Sequence, residues 1–327
     1  MAHTNVNKET GMDALIGRTG FVGGTLLRQR TFAAAYNRAN IHEACEHTFE
    51  TVICAAAPGS MFEANRFPEA DTAAVEALIE HLDTLRTEHF VLISTIAVLA
   101  DFASGADEAT EDFQDDLAYG RNRRRLEVFC TQRFAHCTIL RLPALFGPGL
   151  RKNFLFDVAN PIPSMLTRER LNETCARLPS DLRDAFLELY KPDPRLDLMV
   201  VDRTAVYHVP ATIRTRIETI LIDAGRSSLG FTNPNSEFQY YDMDGLSSDI
   251  ARAQAAKCDL LHLAPEPVRA GTLFKYIKKH EMPEGNARLH HENMRTRHAN
   301  LWQREGPYTA NATEVMSAIK HFMSAEI

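Results

Sequence analysis

The 327-residue chain predicts an α/β protein, a doubly wound parallel sheet followed by a smaller, mostly helical C-terminal lobe. Three observations carry that prediction. Short apolar runs alternate with helical patterns through the first half, the first of these runs breaks into a three-glycine turn, and a Gly/Pro cluster at 143–149 separates this half from a stretch of helical periodicity. The length exceeds that of most single domains, which suits a large sheet-bearing unit with a second lobe.

The elements follow in order. Ala14–Ile16 closes the run Met12-Asp13-Ala14-Leu15-Ile16 as the first strand, a helix starts at Gly23 and carries Thr25-Leu26-Leu27, and Phe32–Tyr36 is a short second strand. Thr51–Ala56 is a strand, Thr72–Leu85 a helix, and Phe90–Thr95 a strand whose apolar extension to Ala100 is too short to span a bilayer. A helix over Tyr119–Thr131, with Leu126 and Phe129 inward, leads to the strand Cys137–Leu142 and then to Pro143-Ala144-Leu145-Phe146-Gly147-Pro148-Gly149. From about Arg151 to Asn235 helical periodicity, as in Ser180–Leu189, is broken at Pro161, Pro163, Pro192 and Pro194. Phe238–Met243 and Leu260–Leu263 are expected to return to the sheet. These boundaries give a sheet domain over 12–150 with 238–263, and a lobe over 151–237 and 264–327. No internal repeat or low-complexity tract interrupts them.

Composition narrows the function. Hydrophobic residues at 45%, charged residues at 24% and a net charge of −7 describe an ordinary globular protein with no electrostatic case for nucleic acid or an anionic membrane. The six cysteines include no C-x-x-C pair and the first residues lack an apolar signal core, so free thiols in a reducing cytoplasm are expected. His290, His291 and His298 match no ligand spacing, and no metal is expected.

The turn Gly17-Arg18-Thr19-Gly20-Phe21-Val22-Gly23 runs from a strand into a helix. Its first glycine permits the tight turn, the middle one lets the backbone approach a pyrophosphate, and the third lets helix and strand pack closely, with helix-start N–H groups facing the anion. The spacing is G-x-x-G-x-x-G instead of the commoner G-x-G-x-x-G, and a plain strand-to-helix turn also satisfies it. Leu92-Ile93-Ser94-Thr95 ends a strand in hydroxyls, and Tyr119-Gly120-Arg121-Asn122-Arg123 puts a phenol and a guanidinium four residues apart on one helical face. A cation there stabilises a phenolate, which makes Tyr119 an acid and base with Thr95 on the same substrate oxygen. The alternatives are a threonine that caps its neighbour and a tyrosine on a solvated run of Arg121, Arg123, Arg124 and Arg125.

Together these residues resemble the extended branch of the short-chain dehydrogenase/reductase superfamily, the NAD-dependent epimerases, dehydratases and ketoreductases of nucleotide sugars. The marks are the glycine turn, Val52-Ile53-Cys54-Ala55-Ala56-Ala57, Ser94-Thr95, Tyr119-Gly120-x-Asn122-Arg123-x-x-x-Glu127 and Arg141-Leu142-Pro143-Ala144-Leu145-Phe146-Gly147-Pro148-Gly149. The resemblance spans nearly the whole chain. It implies a Rossmann-type sheet and a cofactor held by Gly17, Arg18, Thr19, Gly20, Phe21, Val22, Gly23, Ala55, Ala56, Tyr119, Arg123 and Pro143. It also implies catalysis by Thr95, Tyr119 and Arg123, and a homodimer formed through the helices before Cys137. One position departs from the pattern: Arg123 stands where the family's Y-x-x-x-K has lysine, which keeps the charge and removes any proton relay. A catalytically weak or inactive dinucleotide-binding regulatory or scaffold protein also accommodates that change.

Cofactor and substrate expectations follow. No carboxylate occurs in Tyr36-Asn37-Arg38-Ala39-Asn40, where an NAD site places one for the ribose, and Arg38, with Arg18, suits the 2′-phosphate of NADP. Asn37 also serves a plain ribose, so NAD stays open. In the resembling enzymes the segment after the Gly-Pro turn lines the sugar-nucleotide cleft, making Arg151, Lys152 and Asn153 candidates for a diphosphate, or simply solvated loop residues. Glu108 and Glu111 are candidate extra acid or base groups. Ile96-Ala97 after Thr95 lacks the acidic pair of a dehydratase, which favours oxidation, reduction or epimerisation over elimination.

Overall fold

In the computed structural model, which describes residues 12–326, the apolar runs of the first half become one parallel sheet. Its strands are β1 (Asp13–Ile16), β2 (Ala34–Tyr36), β3 (Thr48–Cys54), β4 (Arg86–Thr95), β5 (Cys137–Leu142) and β6 (Leu260–His262), in the order β6-β5-β4-β3-β1-β2. Alternate side chains face opposite layers. Ala14, Ile16, Val52, Cys54, Phe90 and Leu92 meet Val75, Leu78 and Leu82 of helix α3 (Pro68–Asp83) and Leu126 and Cys130 of α4 (Ala118–Arg133). Leu15, Ile53, Val91, Leu140 and Leu261 meet Leu26 of α1 (Phe21–Gln29) and Leu246, Ile250 and Ala253 of the helix Leu246–Ala255. This is the doubly wound Rossmann-type fold that the sequence predicts.

β1 pairs with β2 on one side and β3 on the other. The chain therefore reverses its direction across the sheet after β2, and the carboxyl ends of β1 and β3 flank the switch point, where ligands of open α/β sheets bind. The connection 37–47 holds a single 3-10 turn, Ile41–Glu46, whose Ile41 and Ala44 enter the core, so β2 remains the sheet edge.

Two compact units emerge among the described residues: 12–150 with 239–267 and 292–319, and 151–238 with 268–291 and 320–326. Several expectations shift. α1 begins at Phe21, ahead of Gly23, because Gly20 is its N-cap. Tyr240–Asp242 does not join the main sheet. Both edges of β5 are taken, by β4 and β6, and Tyr240–Asp242 pairs instead with Ala144–Phe146. Residues 264–267 and 292–319, read as lobe, bond into the first unit, with Asn293 and Arg295 donating to the Phe102 and Ala106 carbonyls and Thr309 to Ala264.

The second unit is not purely helical. Around Leu171, Leu182, Phe186, Ile217 and Leu221 pack four helices, Arg168–Arg177, Ser180–Leu187, Arg203–His208 and Ala211–Asp223, and a three-stranded antiparallel sheet of Met165–Leu166, Leu198–Val201 and Tyr190–Asp193. Pro192 reads as a breaker, yet it lies on an edge strand, where a missing N–H is tolerated.

Candidate functional site

The three glycines of the first turn serve different purposes. Gly17 has φ +100°, and a Cβ there would lie 2.4 Å from the Ala55 carbonyl oxygen at the exit of β3. A Cβ on Gly23 would lie 2.1 Å from the Gly17 carbonyl, so the first turn of α1 rests directly on the loop. The protein itself demands both glycines. Gly20 is different: it has ordinary extended angles, is exposed, and its nearest would-be contact is 3.4 Å away, so its missing side chain leaves room on the outside of the turn. α1 starts with no side-chain cap and no acidic residue in its first turn, which leaves its leading N–H groups and dipole for an anion. The turn fits the pyrophosphate of a dinucleotide. Arg18 and Thr19 are exposed and Phe21 and Val22 half-buried against the core. The N–H groups of Gly17 and Arg18 both donate to the Tyr36 carbonyl, at 2.9 and 3.1 Å, tying the turn to the end of β2 that carries Arg38. Arg18 and Arg38 are both exposed, and among the described residues neither is in an ion pair.

The structure brings Thr95 and Tyr119 together. Tyr119 lies in the first turn of α4, which has no side-chain cap of its own at Leu117. Asn65 of helix α2 (Met61–Arg66) supplies one by accepting from the Tyr119 N–H at 2.9 Å. Gly120 sets how close that turn comes to the 3-10 turn Ile96–Val98 that follows β4: a Cβ there would lie 2.0 Å from the Ala97 carbonyl. Thr95 accepts from the Ala97 N–H at 3.2 Å, as a strand-end cap, and its hydroxyl lies near enough to the Tyr119 phenol to pull its pKa down. Ser94 faces the other way, donating to Glu127 at 2.6 Å.

Arg123 lies one turn further along α4, with its guanidinium 4.0 Å from the centre of the Tyr119 ring. It is not part of a solvated charge run, being only 2% exposed. One terminal nitrogen donates to Asp71 Oδ2 at 2.5 Å and to the Tyr119 carbonyl at 3.3 Å, the other donates to the Pro58 carbonyl, and Nε is buried with no hydrogen-bond partner. Asp71 Oδ2 also accepts from Asn122 at 2.8 Å. This arginine ties α3, the loop after β3 and α4 together, and that loop starts beneath the glycine turn at Ala55 and Ala56. A lysine has no fork with which to hold both Asp71 and Pro58.

Electrostatics correct one expectation. Burial pushes the Tyr119 phenol above its ordinary range; Arg123 and the Thr95 hydroxyl pull it down, and Asp71 pushes it up. Arg123 acts in the expected direction without winning, because burial outweighs it and Asp71 opposes it in smaller part. Pro143 is buried where β5 ends. Arg151, Lys152 and Asn153 lie in the second unit. Arg151 and Lys152 are exposed, whereas Asn153 accepts from the Leu155 and Phe156 N–H groups as a helix cap. Glu108 accepts from the His262 N–H, the Thr296 hydroxyl and the Arg297 N–H, a strap anchor, and Glu111 is exposed. Among the described residues no group of three or more His, Cys, Asp or Glu side chains is placed to hold a metal, and no helix is long and apolar enough to cross a membrane.

Sequence reasoning missed Asp71, Asn65 and Pro58, and it gave Asn122 no role beyond a place in the family mark. A signal existed for the first: Asp71 falls on the same α3 stripe as Val75, Leu78 and Leu82, and a carboxylate on an apolar face needs a buried partner.

The family model described as the NAD dependent epimerase/dehydratase family matches residues 26–184, from within α1 onward. Solved structures match along nearly the whole chain. dTDP-4-dehydrorhamnose reductase from Bacillus anthracis, in complex with NADP, is 10% identical with a TM-score of 0.61, covering 96% of this chain and 98% of that one. A UDP-galactose 4-epimerase is 12% identical with a TM-score of 0.59, at 97% and 99% coverage. RMD from Pseudomonas aeruginosa, complexed with NADPH, is 14% identical with a TM-score of 0.57, at 97% and 100% coverage. No curated protein matches the chain. Residues 26–184 thus match the model of the NAD dependent epimerase/dehydratase family, and along nearly its whole length the chain has the fold of these epimerase and reductase structures.

Proposed function

We propose that the chain is an NAD(P)-dependent oxidoreductase or epimerase acting at a secondary hydroxyl or ketone of a nucleotide-activated sugar. The observation that carries this reading is the Thr95–Tyr119 pair at the carboxyl end of β4, joined through the Ala55–Pro58 loop to a glycine turn that fits a pyrophosphate. The turn from Gly17 to Gly23 holds the dinucleotide with Ala55 and Ala56 beneath it, Pro143 flanks the nicotinamide, and Arg38 with Arg18 receives the 2′-phosphate of NADP. When bound, the nicotinamide supplies or accepts hydride at the substrate carbon. Thr95 holds the reacting oxygen, Tyr119 moves a proton at that oxygen, and Arg123 fixes the tyrosine ring. Arg151 and Lys152 meet the diphosphate of the substrate. Asn153, committed to its helix cap, supports their loop. Six free thiols suit a cytoplasmic location, and a homodimer through the helices before Cys137 completes the reading.

A second reading, a dinucleotide-binding regulatory or scaffold protein, draws support from the neutralisation of Arg123 by Asp71. Tyr119→Phe separates the two. With NADPH or NADH and a panel of nucleotide-linked ketosugars, the variant is expected to lose turnover by about 10²–10⁴-fold with dinucleotide affinity retained. Unchanged turnover contradicts the tyrosine mechanism. Binding without turnover in the wild type favours the scaffold reading.

A further inference from the structure

The pair beneath Tyr119 carries a chemical consequence that rests on the function proposed above. A bare guanidinium against a phenol favours the phenolate, the form that removes a proton from an alcohol. Here Arg123 is not bare. Its side chain and that of Asp71 are each 3% exposed, so the ion pair is almost wholly removed from water and nearly neutral as a unit. The charged groups that reach the phenol are Arg123 from its own helix and Asp71 from α3. From the end of β4 comes the Thr95 hydroxyl, and the α2 contact, Asn65, is uncharged and bonds the Tyr119 backbone.

We propose that Asp71 is a specificity-determining residue: by holding the Arg123 guanidinium in a buried ion pair it leaves Tyr119 a neutral, proton-donating phenol, so the resting site is set for a carbonyl substrate. In that reduction the carbonyl carbon takes a hydride from the dihydronicotinamide. The carbonyl oxygen takes the proton of Tyr119 Oη, the C=O becomes CH–OH, and water returns a proton to the phenolate. The reverse oxidation needs the phenolate first and belongs to alkaline pH. The phenol is held above its ordinary range by burial first, and Asp71 pushes in the same direction against Arg123 and Thr95.

The test titrates Tyr119 in the free protein by tyrosinate absorbance. The chain has eight tyrosines, so its curve is obtained by subtracting that of Tyr119→Phe. Asp71→Asn uncovers the Arg123 charge and is expected to lower the Tyr119 midpoint by on the order of 1–3 pH units. The double variant Asp71→Asn/Arg123→Gln removes both charges and is expected to return the midpoint to within about one unit of the wild type. The rising limb of alcohol oxidation against pH should move down with the single variant and back with the double. Should Asp71→Asn fold poorly, Arg123→Gln alone leaves an unpaired carboxylate and is expected to raise the midpoint. An unmoved midpoint in the single variants, or a double variant shifted as far as Asp71→Asn, overturns the inference. None of these titrations needs turnover, so their failure is distinguishable from failure of the tyrosine mechanism, which Tyr119→Phe kinetics tests.

Discussion

Two buried arginines meet α4, and they are satisfied to different degrees. Arg141, fully buried on β5, gives Nε and one terminal nitrogen to the two oxygens of Glu127 at 2.9 and 2.6 Å, and its other terminal nitrogen to His262 Nε2 at 3.1 Å. His262 is therefore the neutral tautomer, with Nδ1–H donating to the Arg295 carbonyl at 2.9 Å. Burial first, and Arg141 beside it, hold its pKa below the ordinary value. Ser94 and Arg124 also donate to Glu127. Arg123, one turn before Glu127 on the helix, has one oxygen of Asp71, two carbonyls and an Nε with no partner. A buried ion pair repays its desolvation only when the remaining donors are met. The Arg141 centre meets that condition and locks α4 to the sheet. The Arg123 centre does not, and it is the one that lies against the tyrosine.

Breaking the closed centre should have the largest effect. Glu127→Gln leaves Arg141 buried without its counter-charge, and a loss of about 3–5 kcal/mol in urea or thermal unfolding is expected. A loss below about 1 kcal/mol would erase the contrast between the two centres.

The second unit offers an intermediate case. Arg203 donates to the Ile162 carbonyl at 2.9 Å and the Ser164 hydroxyl at 2.7 Å, with its other terminal nitrogen buried and unpartnered. Burial pushes the nearby Asp157 carboxyl up to about 7, and Arg203 offsets only part of that. A carboxyl raised in the folded state costs stability as pH climbs from its unfolded value of 3.8 to about 7, with the full penalty present above that window. Asp157→Asn should therefore raise stability at pH 8 by on the order of 2–4 kcal/mol and flatten the dependence between pH 4 and 7. Equal gains at pH 4 and pH 8 would contradict it.

The comparison also shows what a sequence conceals. The strand alternation, the glycine turn and the Thr95–Tyr119 pair were legible because each depends on local period or spacing. Arg123 was legible only in part: its spacing from Tyr119 singled it out of the run Arg121 to Arg125, but its burial depends on Asp71, fifty-two positions away. The partner of Tyr240–Asp242, the edge position of Pro192 and the return of 292–319 to the first unit likewise depend on contacts distant in sequence. Asn153 looked like a substrate residue because its loop is polar, whereas its carbonyl oxygen is spent on two helix N–H groups.

The central claim, that the turn between β1 and α1 holds a nicotinamide dinucleotide, is tested most directly by titrating NADPH and NADH into the wild type and Gly20→Asp, with melting curves for both. Position 20 has room and ordinary backbone angles, and aspartate is a good N-cap, so the variant should fold with unchanged or slightly raised stability, by about 0.5–1 kcal/mol. The wild type is expected to bind, NADPH more tightly than NADH, and the new carboxylate to abolish binding. A wild type that binds neither nucleotide, or a Gly20→Asp variant that binds as tightly as the wild type, would contradict it.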